Sequence, residues 1–262
     1  AEFERLLTGK YPRRGIELLV YTGVAQIVLP EVASLVETVD EHGRHKDVYE
    51  HTLTVLDRAI ALESGPDGPV PGPDFVLRFA ALMHDIGKPA TRKFEGSKVT
   101  FHHHEIVGAK MTRKRMKELR FDNETTKAVT DLVAGHLRFH GYGEVAWSDA
   151  AVRRYVTDAG DQLERLHRLT RADCTTMNRR RAERLSAAYD DLESRIAALR
   201  EKEELDAIRP DLDGDQIMEI LGIGPSREVG EAYRFLLGLR MDNGPMDPEQ
   251  ARSALLDWWE QR

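Results

Sequence analysis

Apolar residues recur along almost the whole chain at intervals of three and four, the spacing that gathers them on one face of an α-helix. In "GIELLVYTG" the run stops at Gly23, and in "LPEVASLVETVD" Pro30 sits in the first turn of the next helix. "DVYEHTLTVLDRAIALE" is amphipathic, with Asp47 as its expected N-cap. A further helix starts near Pro73. Its residues Phe75, Leu77, Phe79, Ala80, Leu82 and Met83 leave little polar face, and Gly87 reads as its C-terminal stop. More helices are expected at 103–119, 122–137, 148–159, 161–177, 180–204, 213–221, 227–241 and 247–260. "SGPDGPVPGPD" reads as a surface loop, and "ATRKFEGSKVTFH" as a hairpin turning at Glu95-Gly96-Ser97. The expected fold is all-α with one small β-hairpin. A composition shift near Arg209-Pro210 separates a long charged helix from a smaller helical unit.

Several polar residues interrupt these apolar stripes. His51 shares a face with Val48, Val55 and Leu56, and His136 with Val129, Leu132 and Val133. Asp173 falls in line with Leu166, Leu169 and Met177, while His84-Asp85 closes the apolar run "AALMHDIGK". Burying an ionised carboxylate among apolar neighbours costs several kcal/mol unless something compensates. One inward histidine is ordinarily a hydrogen-bonded core residue, and one inward aspartate a helix cap. Several on separate helices are a different matter, because neutral imidazoles and carboxylates are the nitrogen and oxygen donors of a divalent cation. Such a mixed set admits Mn, Fe, Co, Ni, Zn or Mg.

Composition narrows the class. Of 262 residues, 41% are hydrophobic, 32% charged and 7% aromatic, the balance of an ordinary soluble protein. No apolar run approaches the roughly 20 residues of a membrane span, so no membrane role is expected. The start, "AEFERLLTGK", lacks the basic and apolar regions of a signal peptide. The single cysteine, Cys174, excludes an internal disulfide and fits a reducing cytoplasm. A net charge of −7 argues against a chain that is basic throughout, yet leaves room for local basic faces. Lys110, Arg113, Lys114 and Lys117 share one helix face, and Arg179-Arg180-Arg181 with Arg184 opens the long helix. Either could be a solvated face or a phosphate-binding one. "LGIGPSREVG" could expose backbone N–H groups to a phosphate or be a plain helix corner. Leu185, Tyr189, Leu192, Ile196 and Leu199 are spaced for packing within the chain.

The order His51, then His84-Asp85, then Asp173 resembles the H…HD…D signature of the HD superfamily of metal-dependent phosphohydrolases. That resemblance implies a helical bundle in which these four residues bind one metal. It also implies a second metal on His104, in "HEIVG", and His136, in "AGHLRFH". A metal lowers the pKa of bound water from 15.7 towards roughly 7, giving hydroxide near neutral pH. Asp85 would then take up the proton from that water. Lys88, just past Gly87, would either reach a substrate phosphate or be a solvated lysine favoured by the helix dipole.

Longer stretches are similar to a narrower family. "GIELLVYTGVAQIVLPEV", "FHHHEIVGAK" and "DLDGDQIMEILGIGPSREVGEAYRFLLGLRMDNG" resemble, in family order, bacterial CCA-adding tRNA nucleotidyltransferases and their poly(A) polymerase relatives. Ser226 stands where glycine is more usual. The resemblance implies an HD-domain helical bundle flanked by a helical RNA-binding body. It divides the chain into a neck or body segment at 1–40, the HD domain at 41–178 and a C-terminal helical body at 179–262. It implies tRNA as partner, contacted through Lys110, Arg113, Lys114, Lys117, Arg179 and Arg180, and CTP and ATP as substrates of the parent enzyme. The polymerising head of that family carries Gly-Ser followed by Asp-x-Asp. Gly96-Ser97 has no such partner, and Asp211-Leu-Asp213 suits a helix N-cap. Phe3, Leu6 and Leu7 already fall at helical spacing and there is no initiator methionine. The chain is therefore expected to be the C-terminal portion of such an enzyme, unable to add nucleotides alone. Two alternatives stay open: a stand-alone HD phosphohydrolase acting on a small nucleotide, and a purely structural metal. The oligomeric state is not legible.

Overall fold

A computed structural model describes residues 2–38, 48–96, 98–139, 142, 147–176, 178–203, 205 and 208–262. Asp47, Ser97 and Met177, expected as a cap, a turn residue and a stripe residue, lie outside this set. The elements in chain order are α1 (Glu2–Thr8), α2 (Pro12–Tyr21), α3 (Ala25–Val28), α4 (Pro30–Ala33), α5 (Val48–Ala61), α6 (Phe75–Met83) and α7 (Lys88–Thr91). The antiparallel hairpin of β1 (Lys93–Glu95) and β2 (Lys98–Thr100) follows, pairing Phe94 with Val99. Then come α8 (His104–Glu118), α9 (Asn123–Gly135), α10 (Asp149–Ala159), α11 (Leu163–Asp173), α12 (Arg179–Lys202), α13 (Gly214–Leu221), α14 (Arg227–Asn243) and α15 (Pro248–Glu260). The all-α expectation with one hairpin holds. No helix among the described residues is long and apolar enough to cross a membrane.

The chain forms two compact units. The first comprises Ala1–Gly141 and Asp161–Tyr189. Its centre is α6, which packs against α1, α5, α9 and α11. Every residue from Leu77 to Met83 is buried, as an apolar helix without a polar face must be. Its start is fixed by Asp74, whose carboxylate accepts the Leu77 N–H at 2.7 Å and is gripped by Arg165 of α11. The one charge on the helix, Arg78, is matched by both oxygens of Glu63 and by the Leu7 carbonyl, so its burial leaves no unpaired cation. Around α6 the core is Leu53, Leu56, Val129, Leu132, Val133 and Leu169.

Three local endings differ from the sequence expectation, and each positions the site. Helix α6 stops at Met83, so His84 and Asp85 stand in the turn beyond it. Gly87 is not a left-handed stop, since its φ is −76°. Its lack of a side chain serves close approach instead: a Cβ there would lie 2.1 Å from the His104 carbonyl oxygen and 2.7 Å from Gly108 N, so α8 could not seat. Helix α11 ends at Asp173, earlier than expected, because Cys174 leaves the helical region with ψ 80° and gives its carbonyl to Arg58.

The second unit comprises Tyr142–Gly160 and Asp190–Arg262. Leu212, Ile217, Ala232, Leu236, Ala251 and Leu255 make its core. Asp213 opens α13 with a reciprocal capping box: it accepts the Gln216 N–H, and the Gln216 side chain accepts its own N–H, each at 2.9 Å. This is the cap expected of Asp211-Leu-Asp213. Arg153 of α10 meets Glu203 in a buried two-bond pair at 2.9 and 3.0 Å. Leu192, Ile196 and Leu199 of α12 are buried within the chain, as their spacing predicts.

Candidate metal centre

Four helix ends and one helix face converge in the first unit. His51 comes from the first turn of α5, His84 and Asp85 from the turn after α6, and His104 from the first residue of α8. His136 is the C-cap of α9, and Asp173 is the last residue of α11. Helix ends suit this task because their carbonyls lack intrahelical partners. The Nδ1–H of His84 donates to the Ala81 carbonyl at 2.8 Å, and that of His136 to Val133 at 2.7 Å. In the turn before α8, His104 does the same to Phe101 at 2.9 Å. A carbonyl oxygen can only accept, so Nδ1 carries the proton in each ring. Nε2 is left pointing inward.

Those nitrogens meet two carboxylates. Nε2 of His84 lies 3.2 Å from Asp85 Oδ2, 3.5 Å from Asp173 Oδ1 and 3.4 Å from Nε2 of His51. His51 Nε2 lies 3.0 Å from Asp173 Oδ1 and 3.6 Å from Asp85 Oδ2. The other oxygen of Asp85 faces His104 Nε2 at 3.3 Å. His136 stands beside both His84 and His104, with ring centroids 5.3 Å from each. Two donor groups result: His51, His84 and Asp173, and Asp85, His104 and His136. Within each, the donor atoms lie within 4.8 Å of one another. Asp85 reaches into both.

The electrostatics describe a pocket that demands positive charge. Burial would raise Asp85 and Asp173, but His84, with Lys88 for the one and His51 for the other, holds both well below the usual carboxylate range. Burial would lower His84, and the two carboxylates overturn this, pushing it up to about 10. His136, by contrast, is pushed down to about 4 by its burial and by the charge on His84. A divalent cation supplies the same positive charge that a proton on His84 otherwise provides. The fit is supported by His136 Nε2, which is buried and has no hydrogen-bond partner among the described residues. An apolar neighbour would suit a silent core histidine, whereas this lone pair faces other ligand atoms.

Lys88 opens α7 and turns back onto the cluster. Its Nζ lies 2.8 Å from Asp85 Oδ2 and 5.7 Å from the Phe101 ring centre, with the side chain 13% exposed. It is a counter-ion of Asp85, not a solvated lysine at a helix C-terminus. Of the His102-His103-His104 run, only His104 enters. His103 adopts a left-handed φ of 61° and is exposed, and His102 lies 3.7 Å from Glu95 of the hairpin. Two neighbours have no signature in the hydrophobic pattern: Thr175, 3.2 Å from His51 Nδ1, and Arg58 on the Cys174 carbonyl.

The basic faces lie elsewhere on the surface. Lys110, Arg113, Lys114 and Lys117 are all exposed along α8, and none forms an ion pair among the described residues. Arg115, on the opposite side of α8, is held by both oxygens of Glu31. Arg179 and Arg180 are exposed at the start of α12, with Arg179 paired to Glu183 at 2.8 Å.

The HD domain family matches residues 48–178, a span that contains all six clustered residues. A second family, described as a probable RNA and SrmB-binding site of polymerase A, matches residues 1–35. The CC-adding tRNA nucleotidyltransferase of Thermus thermophilus is 32% identical over 261 residues, 98% of this chain and 55% of that protein. The A-adding tRNA nucleotidyltransferase of Deinococcus radiodurans is 30% identical over 263 residues, 99% of this chain and 58% of that protein. A multifunctional CCA protein of Legionella pneumophila is 30% identical over 141 residues, 53% of this chain and 32% of its own. The chain thus spans a little over half the length of the two relatives that it matches throughout.

Proposed function

The chain belongs to the HD domain family, and from that membership we propose that its buried cluster is a divalent-metal phosphohydrolase centre within a tRNA 3′-end-processing enzyme. His51, His84, Asp85 and Asp173 would hold one cation. Asp85, His104 and His136 would hold a second. The observation that carries this reading is the convergence of Nε2 atoms, three of them fixed by backbone carbonyls, on a buried and a half-buried carboxylate. A bound cation of this kind lowers the pKa of its water towards about 7 and offsets phosphoryl charge.

The chain's own residues define how substrate reaches the centre. His84 and Asp85 are sealed, with side chains 0% and 1% exposed, whereas His51 and Asp173 are 16% and 19% exposed. A phosphoester therefore approaches over His51 and Asp173. Asp85, ionised and neighboured by Lys88, is the carboxylate placed to receive a proton, and Lys88 keeps positive charge beside it. The substrates in view are phosphomonoesters and 2′,3′-cyclic phosphates at RNA ends.

The names of the relatives and the match over residues 1–35 support tRNA as partner. The exposed cations of α8 and of the start of α12 would contact its phosphates, which supplies affinity without sequence reading. In this reading the chain is the HD and RNA-binding portion of a CCA-adding type of tRNA nucleotidyltransferase that uses CTP and ATP. The test is a metal-screened phosphatase assay against 2′,3′-cyclic nucleotides, phosphorylated tRNA ends and simple phosphate esters. Turnover of tRNA ends above that of free nucleotides supports the reading. Turnover of small nucleotides alone favours a phosphohydrolase unconnected with tRNA, and metal binding without turnover leaves a structural ion.

A further inference from the structure

Three of the four clustered histidines are oriented by backbone carbonyls, and His51 is oriented by a side chain. Its Nδ1 lies 3.2 Å from Thr175 Oγ1, while its Nε2 faces Asp173 Oδ1 at 3.0 Å. Thr175 stands two residues beyond Asp173. Between them the Cys174 carbonyl accepts from Arg58, two helical turns along α5 from His51. One helix therefore grips three successive residues just where α11 ends. Cys174, at φ −69° and ψ 80°, has left the helical region, so the α11 ladder does not carry on through this segment.

We infer that Thr175 is a positioning residue for His51: when a cation is held, its hydroxyl accepts Nδ1–H and leaves the Nε2 lone pair facing the point shared with His84 and Asp173. This inference rests on the cation reading above. The chemistry is asymmetric. A backbone carbonyl cannot be deleted by mutation, but this acceptor can. Without it, nothing draws the ring proton to Nδ1, and Nε2–H stays donated to the Asp173 carboxylate at 3.0 Å, which hides the lone pair that a cation needs. Partners of this kind typically change metal affinity by one to two orders of magnitude. Arg58 supports the same arrangement by anchoring the peptide that joins Asp173 to Thr175.

The experiment is a titration of the full chain with Mn2+, read from the electron paramagnetic resonance signal of the free ion. It compares the parent with Thr175→Val, Thr175→Ser and Arg58→Gln. Valine keeps the shape and removes the acceptor, so affinity should fall by about 10- to 100-fold, while serine keeps the acceptor and should stay within about threefold of the parent. Arg58→Gln leaves the hydroxyl intact but frees the Cys174 carbonyl, and should also weaken the ion. It tests the arrangement independently should the valine variant fold poorly. Parent-like Mn2+ binding by Thr175→Val, or a Thr175→Ser chain as weak as the valine variant, overturns the inference. A parent chain that binds no Mn2+ is a different failure: it removes the cation reading, and the role of Thr175 with it.

Discussion

Asp85 divides its two oxygens between opposite neighbours: Oδ2 lies 2.8 Å from Lys88 Nζ, and Oδ1 lies 3.3 Å from His104 Nε2. A single carboxylate thus joins the two donor groups, and removing it should dismantle both. The double variant His84→Ala with Asp85→Ala should lose its bound divalent ion and any phosphatase activity. Elemental analysis of the purified chain checks this, with one or more ions per chain expected before mutation and none after. Ion content that survives the double change would refute the assignment of the site.

The metal-stripped protein should have a stability that falls on both sides of roughly neutral pH. His136, pushed down to about 4, stays unprotonated in the folded chain where the unfolded chain, at its ordinary 6.5, takes up a proton. Stability therefore decreases as pH drops from 6.5 towards 4. His84, raised to about 10, works the other way. Its contribution is full below 6.5 and is lost as pH climbs towards 10. Urea titrations across this range read both arms. His136→Asn should flatten the acid arm, and an acid arm of unchanged slope in that variant would show that His136 is not the group responsible.

At Gly87 the expected cost is steric. A Cβ at 2.1 Å from the His104 carbonyl oxygen meets backbone, which cannot swing aside as a side chain would. Gly87→Ala should lower stability by about 1–3 kcal/mol through forced repacking, and displace His104 from Asp85. Its mark would be weakened binding of a second ion together with a lower urea midpoint. A midpoint equal to that of the parent would mean that α8 can slide without penalty.

Charge reversal at Lys110, Arg113 and Lys117 should weaken tRNA binding and flatten its dependence on salt, because each lost phosphate contact removes about one released counterion from the slope. Filter binding across a salt series measures both quantities. If affinity and slope stay as in the parent, the stripe is a solvated helix face.

Much of this cluster is legible in the sequence, for physical reasons that differ from residue to residue. His51 and His136 stand out because they fall in apolar stripes whose period fixes which way a helical side chain points. His84-Asp85 stands out because ionisable groups close an otherwise apolar run. The choice of His104 from three consecutive histidines came from family resemblance alone. Its physical cause, a left-handed turn at His103, leaves no trace in the hydrophobic pattern. The end of α11 at Asp173 depends on Arg58, 116 positions away from its acceptor, and no local rule contains such a partner. The sequence leaves Lys88 between substrate and solvent, and its pairing with Asp85, three positions before it, shows only in the fold.

The positions of His51 and Asp173, 122 residues apart, carry one more consequence. An ion shared between them acts as a removable cross-link that encircles most of the first unit, and its loop-closure entropy favours the folded chain as a long disulfide loop would. A nick in the Gly- and Pro-rich stretch between α5 and α6 would then leave two fragments held by the packing of α6 on α1 and α5, by the Arg78–Glu63 pair and by the ion. Chelation would loosen that hold without abolishing it, so that the proposed ion would double as one clasp of the scaffold.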